Sequence, residues 1–272
     1  MIREAAFALA ACLTPIVASD ARPEFRRPAQ PTQPHALVRE TDTVVVGSVS
    51  EEWQLVWRST PSPLCAPDDS SWSTMPCTGI AFGEAGTLDL IRIRNGAIIE
   101  RLPLTPLFDS EYPGFGRAVL RRWPVLDSDS DFAVGGQFAL RVRARRPARA
   151  MRIADYDHDG WATEFPLQVG SYPVVWPAIL VGVSRRRPHL HAFGTAQHPH
   201  APLTLADPEQ WEDFLHSSGD TTLVQVGCGN HGSEEQTEIA LRATPAGLVA
   251  TEFTYACDRH GDRGQLVHRR RL

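Results

Sequence analysis

Residues 154–165 read ADYDHDGWATEF and hold the densest set of acids in the chain. Asp155, Asp157 and Asp159 alternate, Gly160 follows directly, and Glu164 comes four residues after the glycine. Alternating carboxylates in a tight loop can turn inward together, and a glycine at the sixth place permits the sharp bend. A hard divalent cation such as calcium takes six to eight oxygen ligands at about 2.3–2.6 Å. Counting Asp155 as one, the acids occupy places one, three and five, and the carbonyl of Trp161 at seven is placed to be a further ligand. Calcium scarcely lowers the pKa of bound water compared with zinc, so an ion here is expected to hold the loop rather than to do chemistry. The competing expectation is a solvated acidic turn whose aspartates bond their own backbone. His158, at place four, is expected to face solvent.

The hexapeptide DYDHDG resembles the DxDxDG calcium loops of EF-hands, dockerins and FG-GAP repeats. The resemblance covers this one loop and implies a loop type, not a family. Carried over by position, it makes Asp155, Asp157 and Asp159 side-chain ligands. An EF-hand loop closes with Glu at twelve, where this chain has Pro166, and an FG-GAP loop has Asp at nine, where this chain has Thr163. Glu164 stands at ten and is the uncertain closing ligand. The flanking runs look like strands, which favours the FG-GAP-like setting over helix–loop–helix. A second alternation, Asp127, Asp129 and Asp131, lacks the glycine and reads as a solvated turn.

A second group of metal-ligating residue types is His189, His191, His198 and His200. His-x-His in a strand places both rings on one face, half of a zinc or copper site. The rest of such a site is not visible, and surface histidines explain the pattern more simply. No GxSxG elbow, P-loop, GxGxxG or HExxH occurs, so no catalytic residue is assigned. Two functional expectations follow. The first is an exported β-rich protein with a structural calcium loop, a binding or structural module of the cell envelope. The alternative is a secreted metal-dependent hydrolase built on His189 and His191.

The compartment is read from the N-terminus and the cysteines. An apolar run from Ala5 to about Ala18 follows one Arg and ends in small residues, the outline of a signal peptide over residues 1–19. It is too short to span a bilayer comfortably. The run LAAC, ending at Cys12, also resembles a lipobox, so a lipoprotein anchored through Cys12 is the alternative. Four cysteines remain, Cys65, Cys77, Cys228 and Cys257, an even set that suggests two bridges. Of three pairings, Cys65–Cys77 and Cys228–Cys257 are favoured because each brackets one local segment.

The 272-residue chain carries a net charge of −5, which argues against a nucleic-acid partner. All 27 basic residues are Arg, which reads as compositional bias. Arg185 to Arg187 read as a solvated loop and Arg269 to Arg271 as a frayed terminus. Residues 20–38 read as a Pro-rich linker, and 39–272 as a β-rich domain with one interruption near 126–136. Alternation in EEWQLVWRS puts Trp53, Leu55 and Trp57 on a core face. Asn95-Gly96 marks a tight hairpin turn. QFALRVRARR and ARAMRIAD read as further strands, and the last three strand-like runs as a meander. Asp207, Pro208 and Gln210 mark the start of one short helix. These elements predict a mainly β fold, an antiparallel sandwich or open barrel with one short helix and no transmembrane segment.

Overall fold

The computed structural model describes residues 36–65, 82–109, 116–124, 142–172 and 175–272. The expected signal peptide, Cys12, Cys77, the Asp127–Asp131 alternation and the interruption near 126–136 lie outside them. The protein is mainly β, with four antiparallel sheets. The first has the order β1-β2-β5-β6, from Leu37–Val46, Val49–Trp57, Leu88–Arg94 and Ala97–Pro103. The hairpin between β5 and β6 turns at Asn95 and Gly96, both at positive φ (52° and 76°), as a two-residue turn requires. A small sheet joins β3 (Ser62–Leu64), β4 (Gly83–Gly86) and β7 (Ala118–Arg121).

The middle sheet is built around β9 (Ala178–Gly182). It pairs with β8 (Glu164–Gln168) on one edge and with β10 (His191–Ala192) and β11 (Thr204–Leu205) on the other. The last sheet is the meander β12-β13-β14-β15, from Asp220–Val226, Glu235–Thr244, Gly247–Cys257 and Arg263–Arg271. The fourth strand corrects the expected frayed terminus: a turn in which Asp258 N–H bonds Asp262 O sends the chain back along β14.

Two cores explain the layering. Trp53, Leu55, Trp57 and Leu90 of the first sheet meet Phe165, Leu167, Ile179 and Val181 of the middle sheet. Ala178 and Leu180, on the other face of β9, meet Ile239, Leu241 and Leu248 of the meander. Helix α1 (Pro208–His216) adds Trp211 and Phe214 to this second core. The middle sheet is thus covered on both sides, which is why AILVG is apolar without alternation. Asp207 caps α1 by accepting from Gln210 N–H at 2.9 Å, and the Gln210 amide oxygen accepts from Ala206 N–H at 3.2 Å. Cys228 and Cys257 are bridged across the end of the meander, as expected. Cys65 is also disulfide-bonded, to a partner outside the described residues.

Two runs expected to be strands form none among the described residues. Of the first, Val142 to Arg145 make a helical turn, with Arg145 N–H bonded to Val142 O. The ARAMRIAD run makes only an isolated bridge, Ala154 to Glu164. Its amides at Ala150 and Met151 instead donate to the Glu40 carboxylate, which takes the place of a neighbouring strand.

Gly182 is needed where β8 and β9 meet. A Cβ there would stand 2.1 Å from Thr163 O and 2.9 Å from Glu164 Cα, both backbone atoms. Gly182→Ala is therefore expected to push the start of β8 outward and to cost roughly 1–3 kcal/mol. Urea unfolding of variant and wild type measures this, and equal midpoints would contradict the packing described.

Candidate metal centre

The loop that enters β8 carries the acids. Ala154 and Glu164 exchange backbone hydrogen bonds and close it at the base. Within it His158 (φ 55°) and Gly160 (φ 91°) adopt left-handed conformations, and the turn curls around its own carboxylates. Asp155 accepts from Asp159 N–H at 2.9 Å with one oxygen and from Gly160 N–H at 3.0 Å with the other. Asp157 Oδ1 also accepts from Asp159 N–H, at 3.1 Å. Asp159 accepts from Trp161 N–H at 2.9 Å and from Arg185 N–H at 2.5 Å.

These bonds bring one ligand oxygen each from Asp155, Asp157 and Asp159 within 4.8 Å of one another. Two oxygens sharing an ion at about 2.6 Å can stand no more than about 5.2 Å apart, so the trio is close enough together to share one metal ion. Among the described residues this is the one group of three or more His, Cys, Asp or Glu so arranged. Asp157 is buried, and its Oδ2 accepts no hydrogen bond among the described residues. Burial, with the neighbouring Asp159 charge, pushes the Asp157 carboxyl up to about 7. Burial also raises Asp159.

Glu164 stands just outside the trio. Its side chain is fully buried, with Oε2 accepting from Tyr156 N–H at 2.9 Å and Oε1 from the Thr163 hydroxyl at 2.7 Å. Burial and the charge of Asp157 hold its carboxyl well above the usual carboxylate range. It buttresses the loop from beneath, and Thr163, at place nine, works through it. Trp161 donates its amide to Asp159, while its ring packs on the first core and closes on Gly47.

His158 is half-buried rather than turned fully to solvent. Its ring meets Phe214 edge-on, with centroids 5.0 Å apart, and Nε2 lies 2.9 Å from Phe214 O. Tyr156, between the first two acids, reaches the same helix and donates its hydroxyl to Glu212 at 2.7 Å. Neither contact had a local signal in the sequence, because both depend on where α1 docks.

The histidines do not converge. β10 begins at His191, so His189 and His191 do not share a strand face. His191 is buried and stacks on Phe193, with centroids 4.3 Å apart and planes at 24°. His189, His198 and His200 are exposed, and the described residues give His191 no second or third ligand.

No protein-family model, curated protein sequence or solved structure matches the chain.

Two predictions arise here. Glu164→Gln removes a charge that burial and Asp157 oppose. Its amide can still accept from Tyr156 and donate to Thr163, whose hydroxyl turns to Val183 O, 2.8 Å away. The variant is expected to unfold at higher urea than wild type in EDTA; a lower midpoint would contradict this electrostatic account. Burial lowers the His191 pKa from 6.5 to about 4. The unfolded chain therefore binds a proton in that window that the folded chain does not, and stability falls as pH falls through it. His191→Phe lacks this slope, so its stability relative to wild type is expected to rise between pH 6.5 and 4. Parallel curves in urea titrations would refute the assignment.

Proposed function

We propose that the chain is an exported, mainly β binding or structural module of the cell envelope, with its 155–164 loop clamped by one calcium ion. The observation that carries this reading is the buried Asp157 carboxylate. One of its oxygens accepts no hydrogen bond among the described residues, and it lies with two further carboxylates at a spacing that lets the three share a single cation. A divalent ion offsets the mutual repulsion of these groups, which is the usual reason such a loop holds its shape only when loaded.

A structural role is favoured by what the loop touches. Tyr156 and His158 hold α1, Trp161 holds the first core, Asp159 holds Arg185, and Glu164 begins the middle sheet. None of these contacts supplies an acid–base pair or a nucleophile. Export is supported by the apolar N-terminal run and by the Cys228–Cys257 bridge. Among the described residues no helix is long and apolar enough to cross a membrane. The hydrolase alternative has no observation in its favour, since the histidines remain apart.

Extracellular modules bind calcium at about 10⁻⁴–10⁻³ M, so about 10 mM ion adds roughly 1.4–2.7 kcal/mol to stability. For a domain of this size that corresponds to a rise in Tm of about 3–10 °C. Thermal melts in EDTA and in calcium are expected to show that rise for wild type and none for the Asp157→Asn, Asp159→Asn double variant. An unchanged wild-type Tm would refute the clamp.

A further inference from the structure

A cleft of about 770 Å³ opens beside the acidic loop, between the β9–β10 loop and the turn joining β13 to β14. Arg185, Arg186 and Arg187 all line it, and His191 and Phe193 contribute to its wall. Several arginines elsewhere are held by carboxylates. Arg58 grips both oxygens of buried Asp89 at 2.8 Å, Arg92 grips both of buried Glu51 at 2.7 and 2.9 Å, and Arg263 grips both of Glu238 at 2.8 and 3.0 Å.

The three cleft arginines are different. Arg185 is fixed by donating Nη1 to the Asp159 carbonyl at 3.1 Å. Arg187 reaches only the Pro199 carbonyl, at 3.5 Å, and its backbone is pinned by Ser184 Oγ at 3.2 Å. Arg186 crosses toward the opposite wall, its Nη1 3.7 Å from where a Cβ on Gly247 would stand. Among the described residues, neither Arg186 nor Arg187 has a carboxylate partner, so two guanidinium forks present unused donors to one cleft.

His191 adds a complementary group. Its Nδ1 lies 2.7 Å from the His189 carbonyl, which can only accept, so Nδ1 carries the proton. Nε2 is then a lone-pair acceptor with no partner among the described residues, and it is not sealed from solvent. Burial keeps the ring neutral at neutral pH. An acceptor there repels a bare oxyanion and welcomes a hydroxyl. Pro199, Ala246 and Leu248 add an apolar wall, while the Thr195 and Thr244 hydroxyls on the lining are spent on Leu272 O and Gly247 O.

We propose that this cleft binds a small hydroxylated oxyanion, the chemistry of a sugar acid or a sugar phosphate. Arg186 and Arg187 take the anionic group, and His191 Nε2 accepts from a ligand hydroxyl. Asp157 and Asp159 also line the cleft and oppose an anion when the loop is empty, so binding is measured in calcium and in EDTA and is expected to be tighter in calcium. The melts above judge the clamp separately.

The probes are D-glucuronate and glucose 6-phosphate, which separate carboxylate from phosphate, with glucose and sulfate as controls. Calorimetric titration of the full chain is expected to show saturable binding of at least one hydroxylated anion, none of glucose, and weaker binding of sulfate. Losing two charge-assisted contacts in an Arg186→Ala, Arg187→Ala variant is expected to weaken binding at least about tenfold. Both side chains are exposed, so the variant should melt with wild type. His191→Phe is expected to weaken the hydroxylated anion while leaving sulfate unchanged. No binding of either probe in both buffers, or undiminished binding by the double arginine variant, overturns the proposal.

Discussion

The structure turns on a crowding of negative charge where the buried middle sheet begins. Asp155, Asp157, Asp159 and Glu164 occupy one short loop and the first residue of β8, with Asp157 and Glu164 taken out of water. Backbone N–H groups and the Thr163 hydroxyl satisfy many of their oxygens, and Arg185 approaches from the β9–β10 loop. Those contacts orient the carboxylates without cancelling their charge, as the raised Asp157 and Glu164 carboxyls show. In the proposed reading a cation would resolve the conflict without rebuilding the loop, because the hydrogen bonds have already gathered the trio.

The position of this loop gives the charge its wider consequence. Phe165 and Leu167, just beyond it, enter the core shared with the first sheet, while Tyr156 enters the core shared with α1 and the meander. Trp161 and His158 leave the same turn in different directions, one toward Gly47 and the other onto Phe214. Movement in the turn would be felt in both cores. Gly182 sharpens this dependence, since β9 approaches Thr163 and Glu164 too closely for any side chain at that place.

Much of this was legible locally. Alternation showed the inward face of β2, Asn95-Gly96 showed the β5–β6 hairpin, Asp207 showed the helix start, and the loop's acids showed their own convergence. What escaped notice depended on distant partners. Met151 and Ala150 looked like strand residues because their amides do form hydrogen bonds, though to the Glu40 side chain rather than to a ladder. β15, exposed along its whole length, lacks the buried face that makes a strand readable. His158 looked solvent-facing because nothing nearby in sequence indicates Phe214. The uniform use of Arg was read as compositional bias. That reading says nothing of the bidentate pairs at Asp89 and Glu51, and it hides the contrast with Arg186 and Arg187, which have no carboxylate partner among the described residues.

Calcium titration of the metal-stripped protein by calorimetry, near pH 7.5, tests the central claim most directly. The account predicts saturable binding of one ion per chain, with a dissociation constant at or below about 1 mM. No saturable heat up to about 10 mM calcium would contradict it, since a site of the expected affinity would be filled well before then.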